Sequence, residues 1–265
     1  MQRYLAESYN QQGRTTLLGG EQTSWSLIQS QSFAQKIPKG IQAPVGSKGE
    51  IWGSKYLKPS MVSSNVLAEP YKGPKAPLPL TSYFTPSGWA LRWNRWKDSW
   101  KSMYSMSKLK KNIKHWDLRQ FKVDALESYI ETNKALARGD MSALRSLTTP
   151  AIFSDMKKQI RQREKSGWHS IEWDMVEKPD LYDVELVHVR VLAADQKDDE
   201  TAFVQLTVRI PSKQSFTALD KQGNIVSKGS DKVFDVVDHW VFEVPLSKKA
   251  QQKYRVAARL NVVEP

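Results

Sequence analysis

Apolar and polar residues alternate along this chain in different rhythms, and each change of rhythm marks a boundary. Up to residue 87 no apolar period is sustained: the stretch is built from Gln, Ser and Thr and holds eight of the 13 prolines and eight of the 13 glycines. Proline removes backbone donors and glycine raises the entropic cost of order, so the pattern predicts an extended tail that orders only against a partner. From Gly88 the rhythm becomes helical. Trp89, Trp93, Trp96 and Trp100 are spaced 4, 3 and 4 apart, with Met103 continuing the stripe, which sets four indoles along one helix face. Ser87 is placed to cap the start of that helix.

From Phe121 the pattern is that of a packed domain. Val123, Leu126, Ile130 and Ala137 keep helical spacing, and Gly139 is positioned to end their helix in a left-handed conformation. Asp140 caps a short helix with Met141, Leu144 and Leu147, and Thr149 before Pro150 opens a third with Phe153, Met156 and Ile160 inward and Gly167 as its stop. Beyond Gly167 the period falls to two. Strand patterns run through Leu186 to Val191, Ala202 to Ile210, Phe234 to Val244 and Val256 to Val262, with a turn at Asp220 to Asn224 in which Gly223 supplies the left-handed position. Helices followed by antiparallel strands predict an α+β fold. Three helices pack on a curved antiparallel sheet, preceded by the extended basic tail and the amphipathic Trp-rich helix. The divisions read from the chain are 1–87, 88–120 and 121–265.

Charge sharpens this division. Residues 1–120 carry 18 basic and 6 acidic side chains, whereas residues 121–265 carry 22 of each, so the whole formal excess of +12 lies in the first part. Such asymmetry points to a polyanionic partner, because net charge governs association and not fold. The chain has no cysteine, which excludes disulfides, thiolate metal sites and a thiol nucleophile. No run approaches the roughly 20 apolar residues of a membrane-spanning helix. The first residues, with Arg3, Arg14 and Glu7, read as at best a weak organelle-targeting segment.

The tryptophan stripe admits three readings. Indoles flanked by cations suit the headgroup layer of an anionic membrane, and they suit folded RNA, where rings stack on exposed bases and cations meet phosphates. The stripe can also dock on the chain's own domain, the usual fate of an aromatic stripe at helical spacing. The candidate membrane or stacking residues are therefore Trp89, Trp93, Trp96 and Trp100. Clustered lysines are commonly just solvated, but these lie inside the segment that holds all the net charge. The candidate RNA-binding residues are Arg92, Arg95, Lys97, Lys101, Lys108, Lys110, Lys111 and Lys114. Catalytic signals are weak. His115, His169, His188 and His239 show no metal-ligand spacing, and no nucleophile or phosphate-loop motif is present. His188, Arg190 and Asp238 could line a pocket, although polar groups on half-solvated strands account for them more simply. The acidic cluster Asp195, Asp198, Asp199 and Glu200 reads as a turn. No metal, cofactor or small-molecule substrate is expected, and the chain is read as non-enzymatic.

The stretch FKVDALESYIETNKALARGDMSALRSLTTPAIFSDM, Phe121 to Met156, resembles the helical entry of the Tim-forty-four-like domain family. The stretch Gln205 to Leu246 resembles one branch of it, that of mitochondrial ribosomal large-subunit protein forty-five, with its fungal membrane-associated ribosome receptor relatives. The matching features are the Q-x-T-V-R strand at Gln205 to Arg209, the D-x-x-G turn at Asp220 to Gly223 and the strand around Val237 to Glu243. The resemblance implies a cone-shaped domain without catalytic motifs on the mitochondrial large ribosomal subunit near the polypeptide exit. It implies rRNA, neighbouring ribosomal proteins, the inner-membrane surface and the insertion machinery as partners, and a matrix location peripheral to the inner membrane. The tail of residues 1–120 matches no motif of the family, so its contacts are inferred from charge alone.

Overall fold

A computed structural model describes residues 63–165, 167–193, 199–226, 232–248, 250 and 252–262. The expected tail over residues 1–62 and the acidic residues Asp195 and Asp198 lie outside the described residues. Within them the chain forms helices α1 (Pro86–Asn112), α2 (Leu118–Arg138), α3 (Met141–Leu147) and α4 (Pro150–Lys165). Strands β1 (Ser170–Glu177), β2 (Glu185–Leu192), β3 (Phe203–Leu219), β4 (Val233–Pro245) and β5 (Arg255–Leu260) follow. The order of helices before antiparallel strands agrees with the α+β expectation.

Local chemistry accounts for the helix ends. Thr85, and not Ser87, caps α1: its hydroxyl accepts the Gly88 N–H at 3.2 Å, and Pro86 takes the first helical position. The Asp117 carboxylate caps α2, which ends at Gly139 with φ 73°. A left-handed residue there releases two backbone N–H groups to close the last turn, and glycine adopts it without a Cβ penalty. Asp140 then caps α3 through the N–H groups of Ser142 and Ala143.

The 17-residue strand β3 organises the sheet. On one edge it pairs with β4 from Phe203 to Ser215. On the other it pairs with β2 through Phe203–Arg209 and with β1 through Lys213–Leu219, so β1 and β2 share that edge end to end. The spacing of apolar residues predicts a strand ending at Ile210, yet β3 continues through Pro211. This proline falls between the two paired stretches, where its missing N–H interrupts no ladder on that edge. β5 adds to the far side of β4.

One face of the sheet is apolar. Val204, Leu206, Val208 and Ile210 of β3, with Trp240, Phe242 and Val244 of β4, are buried in one core with Phe121, Leu126, Tyr129, Leu144, Ile152 and Met156 from the helices. Rings meet edge to face there, with Phe121 and Phe242 centroids 6.2 Å apart and Tyr129 and Trp240 centroids 4.6 Å apart. The opposite face, carrying Gln205, Thr207, His239 and Glu243, is polar and also buried. It is covered by residues 63–71, the part of the tail that the sequence reads as ordering only against a partner. The reason is polar satisfaction, not apolar periodicity.

Candidate functional site

Helix α1 turns its small and polar side to the body. Gly88, Ser105, Leu109 and Asn112 are buried, spaced as one helical face. The Ser105 hydroxyl accepts the Val191 N–H of β2 at 3.1 Å, and Ser102 accepts a hydrogen bond from Arg190 Nη1 at 2.7 Å. Gly88 is required by a close approach: a Cβ there would lie 2.0 Å from the Ser82 carbonyl oxygen of the short 3-10 turn Leu80–Phe84. The same turn fixes the first part of the helix, since the Trp89 indole N–H donates to the Tyr83 carbonyl at 2.8 Å.

This orientation turns the indole stripe away from the body. Trp89, Trp93, Trp96 and Trp100 are between 50% and 59% exposed, and Met103 at 64% continues their line. Docking of the stripe on the chain's own domain is thereby overturned. The buried stripe, about half a turn round the helix, has taken the packing role, because short side chains let the helix approach the edge of β2. The rings pack on each other instead: Trp93 and Trp96 are stacked at 4.9 Å, and Trp96 and Trp100 meet edge to face at 5.2 Å.

The eight candidate cations divide by surroundings. Arg92 lies 3.4 Å over the Tyr83 ring and donates to Ser82 Oγ, Arg95 donates to the Ala76 carbonyl at 2.6 Å, and Lys101 pairs with Glu69 at 2.5 Å. These three face the chain's own segment 69–84. Lys97, Lys110, Lys111 and Lys114 are exposed, and Lys108 is half-buried. Lys97, Lys108 and Lys110 rest near the rings of Trp93, Tyr104 and Trp116 at 5.6, 5.6 and 5.9 Å. Asp98, the sole acid between Gly88 and Trp116, pairs with Lys75 at 2.5 Å, so its charge is met locally.

The segment from Ser63 to Lys75 straps α1 to the sheet. Buried Glu243 accepts the Ser63 hydroxyl at 2.6 Å, the Ser64 N–H at 3.0 Å and the Ser64 hydroxyl, while the Gln205 side-chain amide donates to it at 2.8 Å. Gln205 also bonds the Val66 carbonyl and the Ala68 N–H. Glu69 then reaches Arg190 at 3.1 Å as well as Lys101. Burial opposes the Glu69 charge, but the hydrogen bonds from Lys101 and Arg190 hold its carboxyl below the usual carboxylate range. The Tyr71 ring stacks on His239 at 5.6 Å and lies 6.0 Å from His188. Burial first, and Arg190 second, lower the His188 pKa to about 4.

His188, Arg190 and Asp238 do not form one pocket. His188 and Arg190 face the strap, whereas Asp238 pairs with Ile210 on the helix-covered side and accepts the Tyr129 hydroxyl at 2.5 Å. Burial holds the Asp238 carboxyl above the ordinary Asp range. Gln214 donates to the same Tyr129 oxygen and accepts from the Trp173 indole, so this network closes on itself. Of the acidic cluster, Glu200 accepts the Ser247 hydroxyl at 3.1 Å. The strap residues Glu69 and Tyr71, and Glu243 of β4 that the strap docks on, escape a reading by periodicity. Their signal is that polar Gln205 and Glu243 stand in strands that otherwise bury well.

The helices and the open antiparallel sheet lie in a stretch of the chain that matches a known domain. Residues 102–260 fit the family of the Tim44-like domain, more than half of the chain, and the chain belongs to that family. The match begins inside α1, so all four indoles of the stripe precede it. Among individual proteins the chain is similar to large ribosomal subunit protein mL45 of Xenopus tropicalis, 27% identical over 175 residues, or 66% of this chain and 53% of the relative. It is 26% identical to mL45 of Bos taurus over 166 residues, 63% of this chain and 51% of that one. With mL45 of Drosophila melanogaster it shares 23% over 149 residues, 56% and 38% of the two chains. The chain spans about half the length of the first two curated relatives.

Proposed function

We propose that this chain is a non-enzymatic component of the mitochondrial large ribosomal subunit, bound to rRNA through its basic N-terminal half. It sits near the polypeptide exit on the matrix side, where its folded body links the ribosome to the inner membrane and its insertion machinery. The relatives named as large-subunit proteins support the ribosomal part. The observation that carries the RNA contact is the orientation of α1: its exposed lysines point away from the body with no unpaired acid among them. A neutral domain moored by such a helix is suited to a phosphate-rich scaffold.

Co-sedimentation with mitochondrial large subunits tests this. Replacing Lys108, Lys110, Lys111 and Lys114 by Gln should weaken association and make the log–log salt dependence shallower by about 3, since each phosphate contact contributes roughly 0.7 to 0.9 to the slope. An unchanged slope and unchanged sedimentation would discard the mooring role. A second reading, a peripheral subunit of the import machinery held on anionic lipid, draws on the exposure of the four indoles. Vesicle flotation abolished by changing those indoles to Ala, with no ribosome association in the parent, would favour it.

A further inference from the structure

Resting on the ribosomal reading, we infer that the indole ladder of α1 is a stacking platform for unpaired rRNA bases, with the lysines of its last turn holding the adjoining phosphates. A contiguous aromatic face left in solvent beside a helix whose other side is already docked marks an interaction face. Its position relative to the cations selects the partner. On a helix each residue advances about 100° and 1.5 Å, so Lys111 lies within about 20° of the line through Trp100 and about 17 Å beyond it, while Lys110 stands about 80° to the side of Trp100, at the edge of the same face. Of the cations at the level of the rings, Arg92, Arg95 and Lys101 are drawn to Tyr83, Ala76 and Glu69, which leaves Lys97 beside the Trp93 ring at 5.6 Å.

This arrangement is a poor match to a lipid surface. Interfacial helices keep their cations on the polar face, so that rings sink while ammonium groups remain with the headgroups. Here the line that would carry the indoles down would carry Lys111 with it, and Lys110 stands at its edge. A single nucleic-acid strand offers bases and phosphates in succession along its length, and a line of rings followed by ammonium groups in the last turn complements it. The rings are also ordered in advance: Trp93 and Trp96 are stacked with 28° between their planes, and Trp100 is set at 67° to Trp96. Paired bases inside an A-form duplex present no free face, so the ligand class is a loop, bulge or end.

The test uses the full chain with three probes: a short unstructured RNA, the same RNA annealed to its complement, and vesicles of phosphatidylcholine with cardiolipin. The single strand should quench the indole fluorescence and bind more tightly than the duplex. The triple variant Trp93→Ala, Trp96→Ala, Trp100→Ala should lose at least about tenfold in affinity for the single strand while keeping its salt slope, because stacking of one base is commonly worth about that factor or more. A triple Phe variant should recover most of the loss, and thermal unfolding should be the same in all three proteins. Absence of RNA binding by the parent, equal affinity in the Ala variant, or loss of vesicle binding alone would overturn the inference. If large-subunit co-sedimentation persists while the stacking signature is absent, only the inference fails; if co-sedimentation is absent as well, the ribosomal reading fails with it.

Discussion

Helices α1 and α2 are both long, and they use their faces in opposite ways. In α2 the apolar side, Phe121, Ala125, Leu126, Tyr129 and Leu136, is buried against β1 and the core. In α1 the side that is buried carries Gly88, Ser105, Leu109 and Asn112, and the four indoles stay in solvent. Burial of the apolar side is what holds a domain together, at about 25 cal/mol for each Å² removed from water. A helix that inverts the arrangement contributes little to its own fold through its largest side chains. The contrast therefore separates residues that make the body from residues available to another molecule.

The largest expected effect sharpens that separation. Phe121→Ala removes a ring that meets Phe242 and Tyr254 in the core and should cost about 3 to 5 kcal/mol in urea unfolding. Trp96→Ala should change stability by less than about 0.5 kcal/mol, as for surface substitutions generally. Comparable losses at the two positions would mean that the indole stripe packs on the body after all.

A smaller effect is expected at the strap, which joins α1 to the sheet by hydrogen bonds. Glu243→Ala strips Ser63, Ser64 and Gln205 of their common acceptor in a buried site. Unsatisfied buried donors cost about 1 to 3 kcal/mol, below the loss of a core ring. Amide exchange at Ser64 and Ala68 should rise in this variant while exchange within α2 stays slow. Equal acceleration in both would show that strap and core open as one unit.

The body is legible in the sequence because its forces are periodic. Leu126 and Phe153 follow a helical repeat, Val204 to Ile210 a strand repeat, and Gly139, Gly167 and Gly223 all take the positive φ expected at stops and turns. The fold class followed from those. The strap is not legible, because Ser63 meets Glu243 across 180 residues and Gln205 meets it across 38, and such pairing leaves no period behind. The side of α1 that docks stays open in the sequence for a related reason: aromatic rings outweigh Ser102 and Ser105 in any apolar count, yet small residues are what permit close approach to β2. The candidate cations were found as types, but their division between Glu69, Ala76 and solvent depends on where the strap lies.

The smallest effect expected concerns pH and again sets strap against body. His188 lies between Tyr71, Glu69 and Arg190, with Asp98 close by, and its pKa is lowered to about 4 chiefly by burial. The unfolded chain binds a proton at this histidine near its ordinary value of about 6.5, whereas the folded chain does so only near the lowered one. Between these values the unfolded state holds more protons, so stability is fully present above the higher value and falls as the pH drops toward the lower. Glu69 and Asp98 are held below their ordinary ranges and stay ionised through most of that window. His188→Gln should therefore flatten the pH dependence of strap protection, the exchange rate relative to that of the open chain at each pH, from about 6.5 to 4 and leave the protection of α2 as it was. A slope that survives the substitution would assign the titration to another group and leave the strap indifferent to His188.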